Sequence, residues 1–178
     1  MDAADLPSKQ LSMIVAAAAV RHLPDLSLPE AYVLRTYRTG DEEAWLPLLK
    51  VAGFDGWTAE KFGEYIEQPE RREGSHCISF DNRLVAATFA SQVRLDPPEG
   101  ALDYVVAHPA HSGKKLGKIV CTAVLRYLVS RNYQHISLKT DDWRLPALKI
   151  YLDLGFRPIL NRLDMPARWE EIYHQLGT

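Results

Sequence analysis

Residues 105–118 read VVAHPAHSGKKLGK, and they join a predicted strand to a long amphipathic helix. A turn that runs into a helix start leaves the first backbone N–H groups unpaired. Together with the positive end of the helix dipole, these groups attract phosphate oxygens. Lysines at positions 114, 115 and 118 add positive charge at the same place. The stretch therefore predicts a site for a ligand that carries phosphates.

The helix after this turn has the clearest periodicity in the chain. Its apolar residues recur at the i, i+3, i+4 and i+7 spacing of a helix that buries one face. They are Leu116, Ile119, Val120, Ala123, Val124, Tyr127 and Leu128. We expect this face to pack on a sheet.

The turn does not fit two common phosphate-binding loops. A Walker A loop would require glycine at His108 and Ser or Thr at Lys115, and a G-x-G-x-x-G dinucleotide motif is absent. The phosphate compound must therefore be one that another kind of loop binds.

A second informative stretch, residues 144–156, reads RLPALKIYLDLGF. Pro146 suits the first turn of a helix, and Gly155 suits a left-handed helix stop. Phe156 can then begin a strand with Pro158 and Ile159. The stretch predicts a short, well-bounded helix that carries Tyr151.

The two stretches together resemble the GNAT (GCN5-related) acyltransferases. In that family a strand ending near V-x-V-x-P precedes Arg/Gln-x-x-Gly-x-Gly/Ala and a long helix, and a later helix carries A-x-x-x-Tyr-x-x-x-Gly-Phe. Gly113 and Gly117 fit the loop, whereas Ser112 replaces the Arg/Gln and Lys115 replaces the first motif glycine. Lys115 keeps its N–H, and we expect it to adopt helical dihedrals at the helix start.

The resemblance covers roughly residues 32–159 and implies a mixed α/β fold. Its sheet is mostly antiparallel, helices flank it, and two splayed middle strands admit CoA. We expect residues 1–31 to be an N-terminal extension, residues 32–160 to form the GNAT domain, and residues 161–178 to be a tail with a short helix within the same single domain.

The order of predicted elements agrees with that fold. The pattern predicts a strand at 32–37, a helix at 41–52 that Pro47 kinks or shortens, a second helix capped by Thr58, and a polar loop at 67–74. A hairpin of 76–80 and 84–93 follows through Asp81-Asn82, and further strands are predicted at 102–107 and 133–139. A terminal helix has Trp169, Ile172, Tyr173 and Leu176 on one face.

The resemblance also implies roles for particular residues. Tyr151 would protonate the departing CoA thiolate, and Asp103 would serve as the general base. Because side chains alternate along a strand, Asp103 should face away from Leu102 and Tyr104. The cofactor-binding residues implied are Val105, Val106, Ala107, Ser112, Gly113, Lys114, Lys115, Leu116, Gly117, Lys118 and Thr140. A buried aromatic at Tyr151 and a solvated strand carboxylate at Asp103 are the alternatives.

Other candidate residues are less specific. Phe54, Asp55 and Trp57 would form either an aromatic and acidic seat for a cationic amine or a packed turn. His108 and His111 are more typical of loop residues than of a metal pair, since a third ligand is not evident. We expect no metal.

Composition narrows the class of protein. The chain has 178 residues, a formal charge of −2 and a pI near 6.3, which argues against nucleic-acid binding. Two separated cysteines favour a reducing compartment. The apolar run from Leu11 to Val20 lacks the basic flank of a signal peptide and is too short to span a membrane. We expect a cytoplasmic protein that does not bind membranes.

Two functions from different classes follow. The first is an acetyl-CoA-dependent N-acetyltransferase that acts on a primary amine of a small molecule or peptide by direct attack. The second is a non-catalytic acyl-CoA-binding regulatory module on the same fold. Transfer of a longer acyl chain, or transfer to oxygen, would change the substrate and keep the fold. The expected partners are acetyl-CoA and an amine acceptor, and a homodimer is possible.

Overall fold

The computed structural model of the protein describes residues 10–177. Its strands are β1 (Leu11–Ala16), β2 (Tyr32–Thr36), β3 (His76–Phe80), β4 (Arg83–Leu95), β5 (Pro98–Ala107), β6 (His135–Thr140) and β7 (Arg157–Pro158). Its α-helices are α1 (Ala17–Val20), α2 (Glu42–Val51), α3 (Ala59–Ile66), α4 (Pro69–Gly74), α5 (Leu116–Ser130), α6 (Leu145–Asp153) and α7 (Met165–Leu176).

The described strands form one 7-stranded sheet in the order β2-β3-β4-β5-β6-β1-β7. The pairing of β5 with β6 is parallel, and the other neighbouring strands pair antiparallel. The prediction of a mixed, mostly antiparallel α/β sheet flanked by helices is confirmed.

The region predicted as an N-terminal extension contains a strand of the sheet at Leu11–Ala16. These residues form β1, which pairs with β6 on one side and β7 on the other. Leu11, Met13 and Val15 are buried while the residues between them are not, so the run has the alternation of a half-buried strand. Residues 1–9 lie outside the described part of the chain, and the assignment of 32–160 to one domain stays a prediction.

The predicted polar loop at 67–74 is also wrong, because Pro69–Gly74 form α4. Pro69 occupies its first turn, where the missing N–H is harmless. Gly74 lies against the ring of Tyr127, and a Cβ built there would fall 2.0 Å from the ring. Close packing against α5 therefore fixes α4 in place, a contact that local polarity does not reveal.

Most other predicted elements are confirmed. The Thr58 hydroxyl accepts a hydrogen bond from the Lys61 N–H at 3.1 Å and so caps α3. Asp81 and Asn82 both have positive φ in the hairpin turn. Pro47 lies inside α2, and the terminal helix α7 buries Trp169 and Ile172.

The described residues form three apolar core clusters. The first joins α5, α6 and α7 to β1 and β6, and the second joins α2 and α3 to β3, β4 and β5. The third joins the start of α5 to β3 and β4. Trp45, Phe62 and Phe89 are fully buried at the centre of the second cluster. Helices thus pack against both faces of the sheet. None of the described helices is long and apolar enough to cross a membrane.

A half-buried histidine at the start of β3 predicts acid sensitivity. The His76 Nδ1 lies 2.7 Å from the Gly74 carbonyl oxygen, and burial lowers the pKa of His76 below its ordinary 6.5. Because the unfolded chain then binds the proton more readily, stability should fall as pH drops below 6.5.

Thermal melts at pH 7.5 and 5.5 should show a smaller loss of melting temperature for His76→Gln than for the wild type. His135→Gln, at an exposed histidine, is the control, and equal losses in all three proteins would refute the effect.

Candidate active site

The site begins where β5 and β6 separate. Their parallel pairing covers only Glu99–Ala101 against His135–Ser137, although β5 continues to Ala107 and β6 to Thr140. Beyond Ala101 no pairing joins the two strands in the described chain, and a cavity of about 450 Å³ opens beside their diverging ends. The predicted gap between splayed middle strands is therefore present.

The cavity gathers residues from four parts of the chain. It is lined by Gln10, Gly53, Phe54, Tyr65, Leu102, Asp103, Tyr104, Val105, Lys139, Thr140, Asp141, Trp143, Arg144, Ala147 and Tyr151. Among the residues predicted from sequence, Asp103, Val105, Thr140 and Tyr151 thus meet at one cavity. The loop residues 112–118 do not line it.

A bulge in β5 changes which side chains reach the cavity. The register between β4 and β5 shifts between Ala87 and Phe89, and Tyr104 has a φ of +50°. An extra residue in one strand interrupts the alternation of side chains. The expectation that Asp103 faces away from Leu102 is confirmed, because Asp103 pairs with Phe89 and contacts Tyr65 whereas Leu102 packs in the cluster on the other side of the sheet. The expectation that Asp103 also faces away from Tyr104 is wrong, because the Tyr104 ring contacts the same Tyr65.

Tyr151 is a buried phenol at the wall of the cavity. Its side chain lies on α6 and is 5% exposed, and burial raises its pKa well above the usual value. The group therefore stays protonated at physiological pH and keeps a proton that it can donate. Gly155, just after the end of α6, has a φ of +86°, which is the left-handed helix stop that the sequence predicts.

Thr140 carries an unpaired buried hydroxyl at the end of β6. The residue is 3% exposed, and its Oγ1 has no hydrogen-bond partner in the described part of the protein. A buried hydroxyl without a partner costs about 1–3 kcal/mol. Thr140 lines the cavity, so its unpaired hydroxyl lies at the cavity wall.

The loop before α5 differs in one respect from the prediction. Gly113 has a φ of +78°, and Lys115 has φ +57° and ψ +20°, so Lys115 is left-handed rather than helical. Lys114 and Lys115 are exposed, whereas Lys118 forms an ion pair with Asp153 at 3.1 Å. The loop therefore offers backbone N–H groups and two exposed cations, and the charge of Lys118 is shared.

The left-handed backbone at Lys115 gives a stability prediction. A side chain costs about 1–2 kcal/mol there, and glycine does not carry this cost, although glycine gains entropy in the unfolded chain. We expect Lys115→Gly to stabilise the fold by about 0.5–1 kcal/mol. Lys114→Gly, one residue earlier and without a positive φ, should destabilise it. Denaturant unfolding of both variants measures the difference, and a loss of stability in Lys115→Gly would contradict the account.

Residues of the turn between α2 and α3 lie partly at the cavity and partly in the core. Phe54 lines the cavity, whereas Trp57 stacks on Phe89 in the packed aromatic cluster at 5.8 Å between ring centroids. Asp55 is exposed and does not line the cavity. Of the three residues, only Phe54 lines the cavity between β5 and β6. All three line a separate cavity of about 670 Å³ beside α2, so the seat for an amine stays a prediction.

Arg144 and Tyr65 are among the cavity residues that sequence reasoning missed. The Arg144 guanidinium lies 4.4 Å from the Phe54 ring centroid and 4.3 Å from that of Trp143, and it donates to the Ala52 carbonyl oxygen at 3.3 Å. Tyr65 lies on α3, and its hydroxyl donates to Asp103 Oδ2 at 2.7 Å. Its position on the apolar face of α3 predicted burial, but it gave no sign of the carboxylate.

The two histidines near the loop have other partners. The Tyr32 hydroxyl lies 2.7 Å from His111 Nδ1, and the His108 side chain accepts from the Ala110 N–H at 3.2 Å. Within residues 10–177, no group of three or more His, Cys, Asp and Glu side chains is arranged to hold a metal ion.

Comparison with known proteins is consistent with this geometry. Residues 42–156 match the family model of the Acetyltransferase (GNAT) family. A mycothiol acetyltransferase of Acidothermus cellulolyticus is 29% identical over 155 residues, which cover 76% of this chain and 47% of that protein. One of Thermobispora bispora is 32% identical over 149 residues, which cover 75% of this chain and 49% of that protein. The chain thus spans about half the length of these curated relatives.

Solved structures agree at the level of the fold. A GCN5-related N-acetyltransferase from Sphaerobacter thermophilus superposes with a TM-score of 0.67 at 17% identity, covering 86% of this chain and 50% of that one. The ribosomal-protein-S18-alanine N-acetyltransferase of Escherichia coli gives 0.60 at 21% identity, covering 71% of this chain and 77% of that one.

Proposed function

The chain belongs to the GNAT acetyltransferase family, and from this premise we propose that it moves an acetyl group from acetyl-CoA to a primary amine by direct attack. The observation that carries the proposal is the cavity between β5 and β6. There a protonated buried phenol, a carboxylate and an unpaired threonine hydroxyl meet in one place.

The proposed binding mode follows the donors and acceptors of the site. Acetyl-CoA supplies an acetyl group activated as a thioester. The unpaired edge of β5 at 105–107 and the Thr140 hydroxyl would bind its pantetheine arm. Residues 112–118 would bind its pyrophosphate through backbone N–H groups at the start of α5, with Lys114 and Lys115 adding charge.

Each catalytic residue has a distinct part in the proposed reaction. Asp103 takes the proton that the amine loses as the new C–N bond forms. A backbone N–H of 105–107 stabilises the charge that develops on the carbonyl oxygen. Tyr151 gives its proton to the sulfur as the C–S bond breaks. The buried, protonated state of Tyr151 and the place of Asp103 on the cavity wall support these assignments.

The acceptor we propose is a small polar amine. The relatives at 29% and 32% identity bear the name mycothiol acetyltransferase, which supports a small molecule over a protein acceptor. The cavity wall also combines the aromatic rings of Phe54 and Trp143 with the charges of Asp103, Lys139 and Arg144. Such a wall suits an acceptor with several polar groups.

We also propose that the reaction takes place in a reducing compartment such as the cytoplasm. Cys77 and Cys121 are both buried and unpaired, and burial raises the pKa of Cys77 to about 11. Their thiols are thus protected from chemistry in the folded chain. Homodimer formation stays a prediction.

An amine screen tests the proposed function. The protein is incubated with acetyl-CoA and a panel of small amines and short peptides, and free CoA and acetylated product are measured by thiol assay and mass spectrometry. We expect at least one small amine to be acetylated, and we expect Asp103→Asn to slow transfer by about 10²-fold. Acetyl-CoA binding without transfer to any amine would favour the non-catalytic module instead.

A further inference from the structure

Tyr65 is in direct contact with the carboxylate proposed as base. Its hydroxyl donates to Asp103 Oδ2 at 2.7 Å, across 38 residues of sequence. The described residues place no hydrogen-bond donor on Asp103 Oδ1, and the backbone carbonyl of Asp103 accepts separately from the Thr88 hydroxyl at 3.0 Å. One carboxylate oxygen is thus held, and the other is available to a ligand in the cavity.

The Tyr65 ring is itself held by a guanidinium over one face and by two aromatic rings. The Arg71 guanidinium lies 3.4 Å from its ring centroid. Arg71 is fixed in turn, since it donates to the Ser91 hydroxyl at 2.8 Å and to the Tyr65 carbonyl oxygen at 3.1 Å. The rings of Phe89, at 5.0 Å, and Trp57, at 5.1 Å, contact Tyr65 edge to face. These contacts fix the orientation of the phenol, and in that orientation its hydroxyl points at the Asp103 carboxylate.

We propose that Tyr65 is a positioning residue that holds Asp103 Oδ2 and so presents Oδ1 to the acceptor amine. This inference rests on the proposed function, because it assigns a partner to the base of that reaction. A carboxylate on a side chain with free rotation would sample several orientations, and small displacements of a reacting group lower rates strongly. Asp103 lies opposite Phe89 in regular register and lines the cavity, and the bond from Tyr65 fixes the rotation of its carboxylate.

The protons in this step are accounted for by the same geometry. The amine nitrogen forms its bond to the acetyl carbon, and its proton passes to Asp103 Oδ1. Tyr65 keeps its own proton throughout and remains a donor to Oδ2. Burial, together with the neighbouring negative charge of Asp103, raises the pKa of Tyr65 above its usual value, which agrees with that role. Tyr65 is therefore not a second base.

A double-mutant cycle separates positioning from packing. Tyr65→Phe keeps the ring and its contacts and removes only the hydroxyl. We expect kcat to fall about tenfold while the KM for acetyl-CoA stays unchanged. Asp103→Asn should lower kcat by about 10²-fold. In the double variant, loss of the Tyr65 hydroxyl should add no more than about twofold, because the group that it positions is already gone.

Tyr37→Phe is the matched control. The Tyr37 hydroxyl also donates to a carboxylate, Glu42 Oε2, at 3.2 Å, and its ring packs in the same aromatic cluster against Trp45 and Phe62. Tyr37 does not line the cavity. This variant removes the same kind of bond, so it should leave kcat unchanged.

The outcomes are distinguishable. Unchanged kcat in Tyr65→Phe overturns the inference and leaves the proposed function standing. So does a tenfold loss that recurs in full in the Asp103→Asn background, because Tyr65 then acts independently of Asp103. A wild type that acetylates no amine overturns the proposed function and this inference with it. A loss in Tyr65→Phe that disappears in the Asp103→Asn background supports the inference.

Discussion

Replacing Tyr151 by phenylalanine should slow acetyl transfer by about 10²- to 10³-fold without weakening the binding of acetyl-CoA. The CoA thiolate leaves more readily when a positioned acid protonates the sulfur as the C–S bond breaks. Tyr151 is 5% exposed, and its pKa lies well above the usual value, so water does not easily replace it and its proton is present at neutral pH. Steady-state kinetics and calorimetric titration measure the two quantities.

The substitution keeps the aromatic ring, so the core around α6 should hold. Tyr173→Phe is the control, since Tyr173 is a partly buried tyrosine on α7 that packs against Trp169. It does not line the cavity and should transfer acetyl groups at the wild-type rate. An unchanged rate in Tyr151→Phe would remove Tyr151 from the acid role and leave it a buried aromatic.

Reversing the charges of Lys114 and Lys115 should weaken acetyl-CoA binding by about 10²-fold, or about 3 kcal/mol. Both side chains are exposed beside the start of α5, and their conversion to glutamate replaces two attractions for phosphate by two repulsions. Because exposed charges are screened by salt, the loss should shrink as ionic strength rises. Calorimetric titration at low and high salt gives the affinities.

Two controls separate charge from shape at the loop. Lys114→Gln/Lys115→Gln removes the positive charges without adding negative ones, and it should cause a smaller loss than the glutamate pair. Lys50→Glu changes an exposed lysine near the end of α2, outside the loop and the cavity, and should not affect binding. Equal affinity in the wild type and the glutamate pair would show that phosphates do not bind at residues 112–118.

The elements that the sequence predicted well are those whose signals are local. The periodicity of α5, the Pro146 and Gly155 boundaries of the Tyr151 helix, and the Asp81-Asn82 turn each depend on neighbouring residues. The strand β1 was missed because Ala16, Ala17 and the alanines after it make its end resemble a helix or leader. The helix α4 was missed because its packing against Tyr127 is tertiary.

The site was predicted only in part for the same physical reason. Motif spacing brought Tyr151, Val105 and Thr140 to one cavity. The bond from Tyr65 to Asp103 joins residues 38 apart in sequence, and the Arg144 contact with Ala52 joins residues 92 apart. Neither contact can be predicted from the residues near it in sequence. The bulge at Tyr104 likewise depends on how β5 pairs with β4. At this residue the alternation of side chains along a strand no longer predicts which face a side chain takes.

Hydrogen–deuterium exchange with and without acetyl-CoA tests most directly whether the gap between β5 and β6 is the cosubstrate cleft. Backbone amides that bind a ligand exchange more slowly, and beyond Ala101 the side of β5 that faces β6 has no pairing partner in the described chain, although its other side pairs with β4. We predict that acetyl-CoA slows exchange at residues 103–107 and 112–118, and that the distant strand β2 is unaffected. Unchanged exchange at both segments, at saturating acetyl-CoA, would contradict the account.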